Sequence, residues 1–220
     1  METIDLFINS NIDDMPMLRE ILQFYMGRFP HTDKVFNKVS LCEDIETYET
    51  EVQCLSRLEG SGFTPKLINK KIISQIRCID SANIIKVISN YFITLIQMER
   101  VCGKTINELY IPEQERSMYL GPGIYIKHYP ANLKDIREII PEKYVSDAII
   151  IKIVEKLNIL VSKYGIYHED IHSGNFIEKD GEIMVIDFDC AKIGKVSTNR
   201  KDTIDRRIYN DVVYNFTNIL

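Results

Sequence analysis

His168-Glu169-Asp170-Ile171-His172-Ser173-Gly174-Asn175 leads into two apolar-rich runs, 176–179 and 182–186, joined by Asp180-Gly181 and ending in Asp187-Phe188-Asp189. This stretch carries most of the information in the chain. An Asp-Gly pair between two such runs is a strong signal for a two-residue hairpin turn, because both central positions need positive φ. Antiparallel pairing about that turn sets opposite each other residues whose numbers sum to about 361. Asn175 then faces Ile186, and Asp187 lies one step beyond. Asp170 sits on the loop feeding the first strand. Two carboxylates and a carboxamide therefore converge at one end of a short ribbon. Hard oxygen donors of this kind suit Mg²⁺.

Working outward, the chain has 220 residues, 45% of them hydrophobic, enough for one compact domain or two small lobes. Net charge is −5 with the signs interspersed, so no basic surface argues for nucleic acid or an anionic membrane. No apolar run is long enough to span a bilayer, and Met1-Glu2-Thr3-Ile4-Asp5 lacks the basic start of a signal peptide. The five cysteines (42, 54, 78, 102 and 190) are scattered and contain no Cys-x-x-Cys pair. That argues against zinc and a disulfide framework, and for a reducing cytoplasmic compartment. Isoleucine outnumbers alanine 36 to 4, which hints at an AT-rich genome such as that of a large DNA virus, whose host cell would then be the compartment.

Upstream, Val35-Phe36-Asn37-Lys38-Val39-Ser40-Leu41 predicts a strand. Residues 46–58 predict a helix, with Tyr48, Val52, Leu55 and Leu58 near helical spacing and Gly60-Ser61-Gly62 as its stop. Residues 91–98 predict a second strand. Residues 146–164 predict a long helix, apolar at Ile149, Ile150, Ile153, Val154, Leu157 and Leu160, with Lys163 in its last turn and Gly165 as its stop. Residues 15–26 also look helical.

The block 168–189 resembles the catalytic core of the protein-kinase-like superfamily. That family carries His-Arg-Asp with an Asn five residues after the Asp, then Asp-Phe-Gly. Asp170 and Asn175 have the spacing, and Asp187-Phe188 stand in the metal motif. Glu169 replaces the Arg, Asp189 replaces the Gly, and His172 completes a His-x-Asp-x-His pattern similar to the aminoglycoside and choline kinase branch.

The resemblance implies an α+β, two-lobed protein-kinase-like fold with a truncated helical lobe. Residues 1–98 would be the sheet-rich nucleotide lobe, 99–103 the hinge and 104–220 the catalytic lobe. ATP and Mg²⁺ would be the cofactors. Asp170 would be the catalytic carboxylate, with His168 holding its loop, and Asn175 and Asp187 would ligate the metal. Lys38 would steady the phosphates, paired with Glu51. Lys34 is the competing lysine, and Glu43, Glu46 and Glu49 the competing acids. The bland alternative is a solvated strand lysine and a solvated helix acid. Met98 would guard the adenine pocket, with backbone groups at Glu99 to Val101 meeting the base.

A Ser/Thr protein acceptor leads, from the hinge and helix segments. A small hydroxylated acceptor follows, from His172 and Asp189. A third reading is a pseudokinase, a binding module without turnover, because no Gly-rich phosphate loop is visible before Val35. Residues 104–145 carry no recognisable motif, and Gly121-Pro122-Gly123 with Pro130 could form an acceptor dock. Asp211-Val212-Val213 resembles a brace beneath the catalytic loop. Glu169 would repel a phosphate, so activity is expected to be independent of phosphorylation at Ser197, Thr198 and Thr203.

Overall fold

The computed structural model describes residues 1–8, 15–82, 86–110, 113, 146–170 and 172–194. The Gly121–Gly123 dock, the phosphorylatable positions 197, 198 and 203, and the Asp211 brace lie outside them. The architecture is α+β. The chain divides into two compact units: Met1–Val101 with Phe188–Cys190, and Cys102–Asp187 with Ala191–Leu220.

The first unit is a four-stranded sheet in the order β1-β3-β4-β2. Its strands are β1 (Glu2–Ile8), β2 (Val35–Cys42), β3 (Leu67–Asp80) and β4 (Val87–Glu99). Helix α1 (Met15–Arg28) lies between β1 and β2 in sequence, and α2 (Ile45–Arg57) between β2 and β3. β2 and β3 both run antiparallel to β4, while β1 pairs parallel with β3.

Alternation along each strand gives the sheet two different faces. Val39 and Leu41 of β2 pair with Leu95 and Ile93 of β4. That face packs against Leu18, Ile21, Leu22 and Tyr25, which recur at i, i+3, i+4 and i+7 along α1. Burying one such aliphatic side chain is worth about 1.5–3 kcal/mol. The opposite face carries Lys38, Ser40, Thr94 and Ile96 in register, and α2 meets it there. Asp44 caps α2 by accepting from the Glu46 N–H at 2.9 Å. Tyr48, Val52, Leu55 and Leu58 are buried, as their helical spacing requires.

The N-terminal residues depart from the protein-kinase pattern. The pattern needs a Gly-rich hairpin ahead of the lysine strand. Residues 2–8 instead form an edge strand and residues 15–28 a helix on the back of the sheet. In β1, Ile4, Leu6 and Ile8 pack inward while Thr3, Asp5 and Phe7 are exposed, and the apolar Phe7 breaks the alternation that the sequence alone would show.

The second unit contains β5 (Lys104–Thr105), α3 (Ile106–Tyr110), α4 (Asp147–Tyr164), β6 (Ile166–Tyr167), β7 (Phe176–Lys179), β8 (Glu182–Val185) and β9 (Lys192–Ile193). β5, β7 and β8 form one small sheet, and β6 pairs with β9. α4 buries Ile153, Leu157, Leu160 and Val161. Gly165 ends it in the left-handed conformation at φ 65, its N–H bonding back to Val161 O at 3.0 Å. A Cβ there would collide with the Gly194 carbonyl, so glycine is required twice over. Lys152 Nζ donates to Gly181 O at 2.6 Å, and Lys156 pairs with Glu182 at 3.3 Å. Two lysines one turn apart on α4 thus hold the tip of the β7–β8 hairpin.

No helix among the described residues is long and apolar enough to cross a membrane.

Candidate active site

The hairpin has the register that its turn chemistry requires. Phe176 pairs with Val185, Ile177 with Met184, and Lys179 with Glu182. Asp180 and Gly181 have φ 54 and 79. The Ile186 N–H donates to Asn175 O at 3.0 Å, extending the ladder by one rung.

His168 is buried, and its Nε2 lies 2.9 Å from Ile186 O. A carbonyl oxygen only accepts, so Nε2 carries the proton. Burial, the dominant influence, holds the His168 pKa below its ordinary value; the bond to Ile186 opposes this. The ring is therefore neutral near pH 7. It stacks with Phe176, ring centroids 6.2 Å apart. Both backbone groups of Ile186 are engaged, one by Asn175 and one by His168. Asp187 follows directly, at φ 63. Glu169 is also left-handed, at φ 57. Non-glycine residues held there cost about 1–3 kcal/mol each and cluster at functional sites.

Asn175 is 3% exposed. Its Nδ2 donates to Asp170 O at 3.0 Å and to Asp170 Oδ2 at 2.9 Å. Both partners are acceptors, so only the amide NH₂ can face them. That leaves Asn175 Oδ1 as the atom that a cation could take. The Asp187 carboxylate is a second hard oxygen donor, and both are of the donor chemistry Mg²⁺ prefers. The residues fit the metal.

His172 closes the loop. Its Nδ1 accepts from the Gly174 N–H at 3.1 Å, and its Nε2 lies 3.3 Å from Asp170 Oδ2. His172 is the largest influence on Asp170 and lowers its pKa, assisted by Asn175, while partial burial opposes them. Asp170 is therefore ionised at neutral pH. Lys192 on β9 pairs with the Glu169 carboxylate. Glu169 is thus not a freely solvated acid.

In the first unit, Lys38 Nζ donates to both oxygens of Glu51, at 2.9 and 2.8 Å. The Glu51 side chain is 4% exposed and that of Lys38 21%. Glu43, Glu46 and Glu49 are exposed, and Lys34 precedes β2 at an exposed position. The Lys38–Glu51 pair lines a cavity of ≈ 320 Å³ with Ser40, Cys42, Tyr48 and Asp189, all within this unit. Burial pushes the Cys42 thiol up, so it is a weak nucleophile. Met98 is buried at the end of β4. Two of the backbone N–H groups that follow Met98 already have partners. The Glu99 N–H already donates to Lys66 O at 2.8 Å, and the Arg100 N–H to Lys34 O at 2.9 Å. Among the described residues nothing engages the Val101 N–H, which is left as the donor of that segment.

Two features escaped the sequence reading. The Glu169–Lys192 pair spans 23 positions and depends on β6 pairing with β9, so no local signal announces it. The 3.3 Å approach of His172 Nε2 to Asp170 had one available clue, the two-residue spacing, but spacing alone does not say which way the ring turns. The chain matches no known family description and no curated protein sequence.

Proposed function

We propose that the chain is a phosphotransferase of the protein-kinase-like class, two-lobed, with ATP as phosphate donor and Mg²⁺ as its metal. Its particular reaction would be transfer of the γ-phosphate to a hydroxyl, with Ser or Thr of a protein the leading acceptor. The observation that carries this reading is the Asn175 carboxamide clamping Asp170, beside an Asp187 fixed by the doubly bonded Ile186.

Asp170 would orient the acceptor hydroxyl and take its proton late, since a loose transition state asks for little base strength. Its lowered pKa suits that role and keeps it ionised. Asn175 Oδ1 and Asp187 would hold Mg²⁺. When bound, the metal neutralises charge on the β- and γ-phosphates. Lys38, held by Glu51, would steady the phosphates. Met98 and the Val101 N–H would meet the adenine. His168, neutral and bonded to Ile186, moves no proton and holds the loop. All five cysteines are free thiols, which supports a reducing cytoplasmic setting.

One observation favours the module reading instead: residues 2–28 build a strand and a helix, leaving the described residues with no hairpin over the phosphates. One experiment separates the readings. Radiolabelled ATP and Mg²⁺ are incubated with the full chain, a protein mixture and a panel of hydroxylated metabolites. The expected result is label in protein. Label in a metabolite moves the acceptor to the small-molecule class. ATP that stabilises the chain without any transfer identifies a binding module. In parallel, Asp187→Ala should abolish the Mg²⁺-dependent part of the ATP thermal shift, because only a ligand bound to the native state raises its stability. An unchanged shift removes Asp187 from the metal site.

A further inference from the structure

Asp170 has two carboxylate oxygens, and both loop donors converge on one of them. Asn175 Nδ2 donates to Oδ2 at 2.9 Å, and His172 Nε2 lies 3.3 Å from the same atom. Among the described residues no donor engages Oδ1. A carboxylate gripped on one oxygen cannot rotate freely, so the other oxygen keeps a fixed direction.

The grip depends on which nitrogen of His172 carries its proton. The Gly174 N–H points at Nδ1 from 3.1 Å. A backbone N–H only donates, so Nδ1 must be the unprotonated nitrogen. The proton is then on Nε2, the atom that faces Asp170. One backbone amide thus selects the imidazole tautomer, as neighbours commonly do for functional histidines. The selection needs a close approach. A Cβ on Gly174 would sit 3.0 Å from His172 Cε1 and 3.1 Å from Nδ1, so the ring would have to give. Gly174 itself is not in the left-handed region, so an alanine there would test the ring and not the backbone.

We propose that His172 is a positioning residue: a Gly174 N–H to Nδ1, Nε2–H to Asp170 Oδ2 relay that aims Oδ1 at the acceptor hydroxyl. This rests on the phosphotransferase reading above. It goes beyond it by giving His172 a role through Asp170 and not through the acceptor or the metal. A misaimed base loses rate while nucleotide binding is untouched, and a displacement near 1 Å can cost about 100-fold.

The test uses the full chain. His172→Leu removes both ends of the relay, and His172→Gln keeps a side-chain N–H that can reach Asp170. Steady-state transfer from radiolabelled ATP should show kcat lowered about 10- to 100-fold in His172→Leu, with KM for ATP unchanged. His172→Gln should recover most of the loss, and Gly174→Ala should behave like His172→Leu. In ¹⁵N-histidine spectra, the signal absent from His172→Gln should show an unprotonated Nδ1 and a protonated Nε2. The chain has only four histidines, so the assignment is tractable. The inference is overturned by a protonated Nδ1, by full activity in His172→Leu, or by equal damage from Leu and Gln. Normal transfer by wild type and His172→Leu alike overturns this inference alone. No transfer by the wild type overturns the phosphotransferase reading as well.

Discussion

The two units build their polar centres in opposite ways. In the second unit, Asp170, His172 and Asn175 lie within six consecutive residues, and the hairpin that follows supplies Ile186 and Asp187. In the first unit, Lys38 meets Glu51 only because β2 pairs with β4 and α2 packs on the even-numbered face. One centre is written into a loop and its turn. The other is assembled by tertiary packing. The loop centre stores backbone strain at Glu169 and Asp187, whereas the sheet centre stores a buried charge. A buried carboxylate is tolerable only while paired. The first unit's centre thus depends on a paired buried charge, and the second unit's on backbone held in a costly conformation.

Substitutions in each centre should separate the two kinds of site. The largest expected effect is on turnover. Under the proposed phosphotransferase reading, Asp170→Asn keeps the shape of the loop but loses the carboxylate, so phosphate transfer should fall about 10²- to 10⁴-fold, the usual contribution of a positioned base. Urea unfolding should change less than in Lys38→Met, because Asp170 is only partly buried. Equal turnover by the purified variant would place the catalytic group elsewhere.

Lys38→Met should do the reverse in stability. It leaves Glu51 buried without its cation, for a loss of about 3 kcal/mol, the lower end of the cost of breaking a buried pair because Lys38 is partly exposed. Lys38→Met with Glu51→Leu should recover most of it, since apolar replacement removes the stranded charge. Chemical denaturation of the single and double variants measures both. A single variant as stable as wild type would mean that the sheet centre bears no structural load.

The smallest effect is a pH dependence, and it belongs to the loop centre. His168 has a folded pKa depressed below its unfolded value, mainly by burial. The unfolded chain therefore binds more protons below about pH 6.5. Stability is present in full above that pH and drains as pH falls toward the folded pKa, with a slope of up to about 1.4 kcal/mol per pH unit. Asp170, also depressed, adds stability that is lost only at pH below about 4, so the two windows separate. Urea melts at pH 7.5 and 5.5 should show the loss in wild type and not in His168→Asn. A flat profile in wild type would mean that His168 is not held neutral by burial.

Much of the loop centre could be read from the chain. Asp180-Gly181 dictates the turn, the turn dictates the register, and the register puts Asn175 against Ile186. Every step spans a few residues. The helices 45–57 and 147–164 were legible for a similar reason, since their apolar spacing reports one buried face. The β1 strand shows the limit: its alternation is broken at Phe7, and its place parallel to β3 requires a partner some seventy residues away. The Glu99 and Arg100 amides show another. Nothing local reveals that Lys66 and Lys34 carbonyls have already claimed them.

By itself, then, the sequence determined which residues could form a ribbon with oxygen donors at one end, because turn chemistry and side-chain alternation act between near neighbours. Tertiary packing is what brings Lys38 to an acid, makes Glu51 that acid in place of its exposed neighbours, and closes Glu169 on Lys192. Those choices depend on which strands pair and which helix face turns inward. Burial then selects among chemically identical side chains, a selection that no local pattern contains.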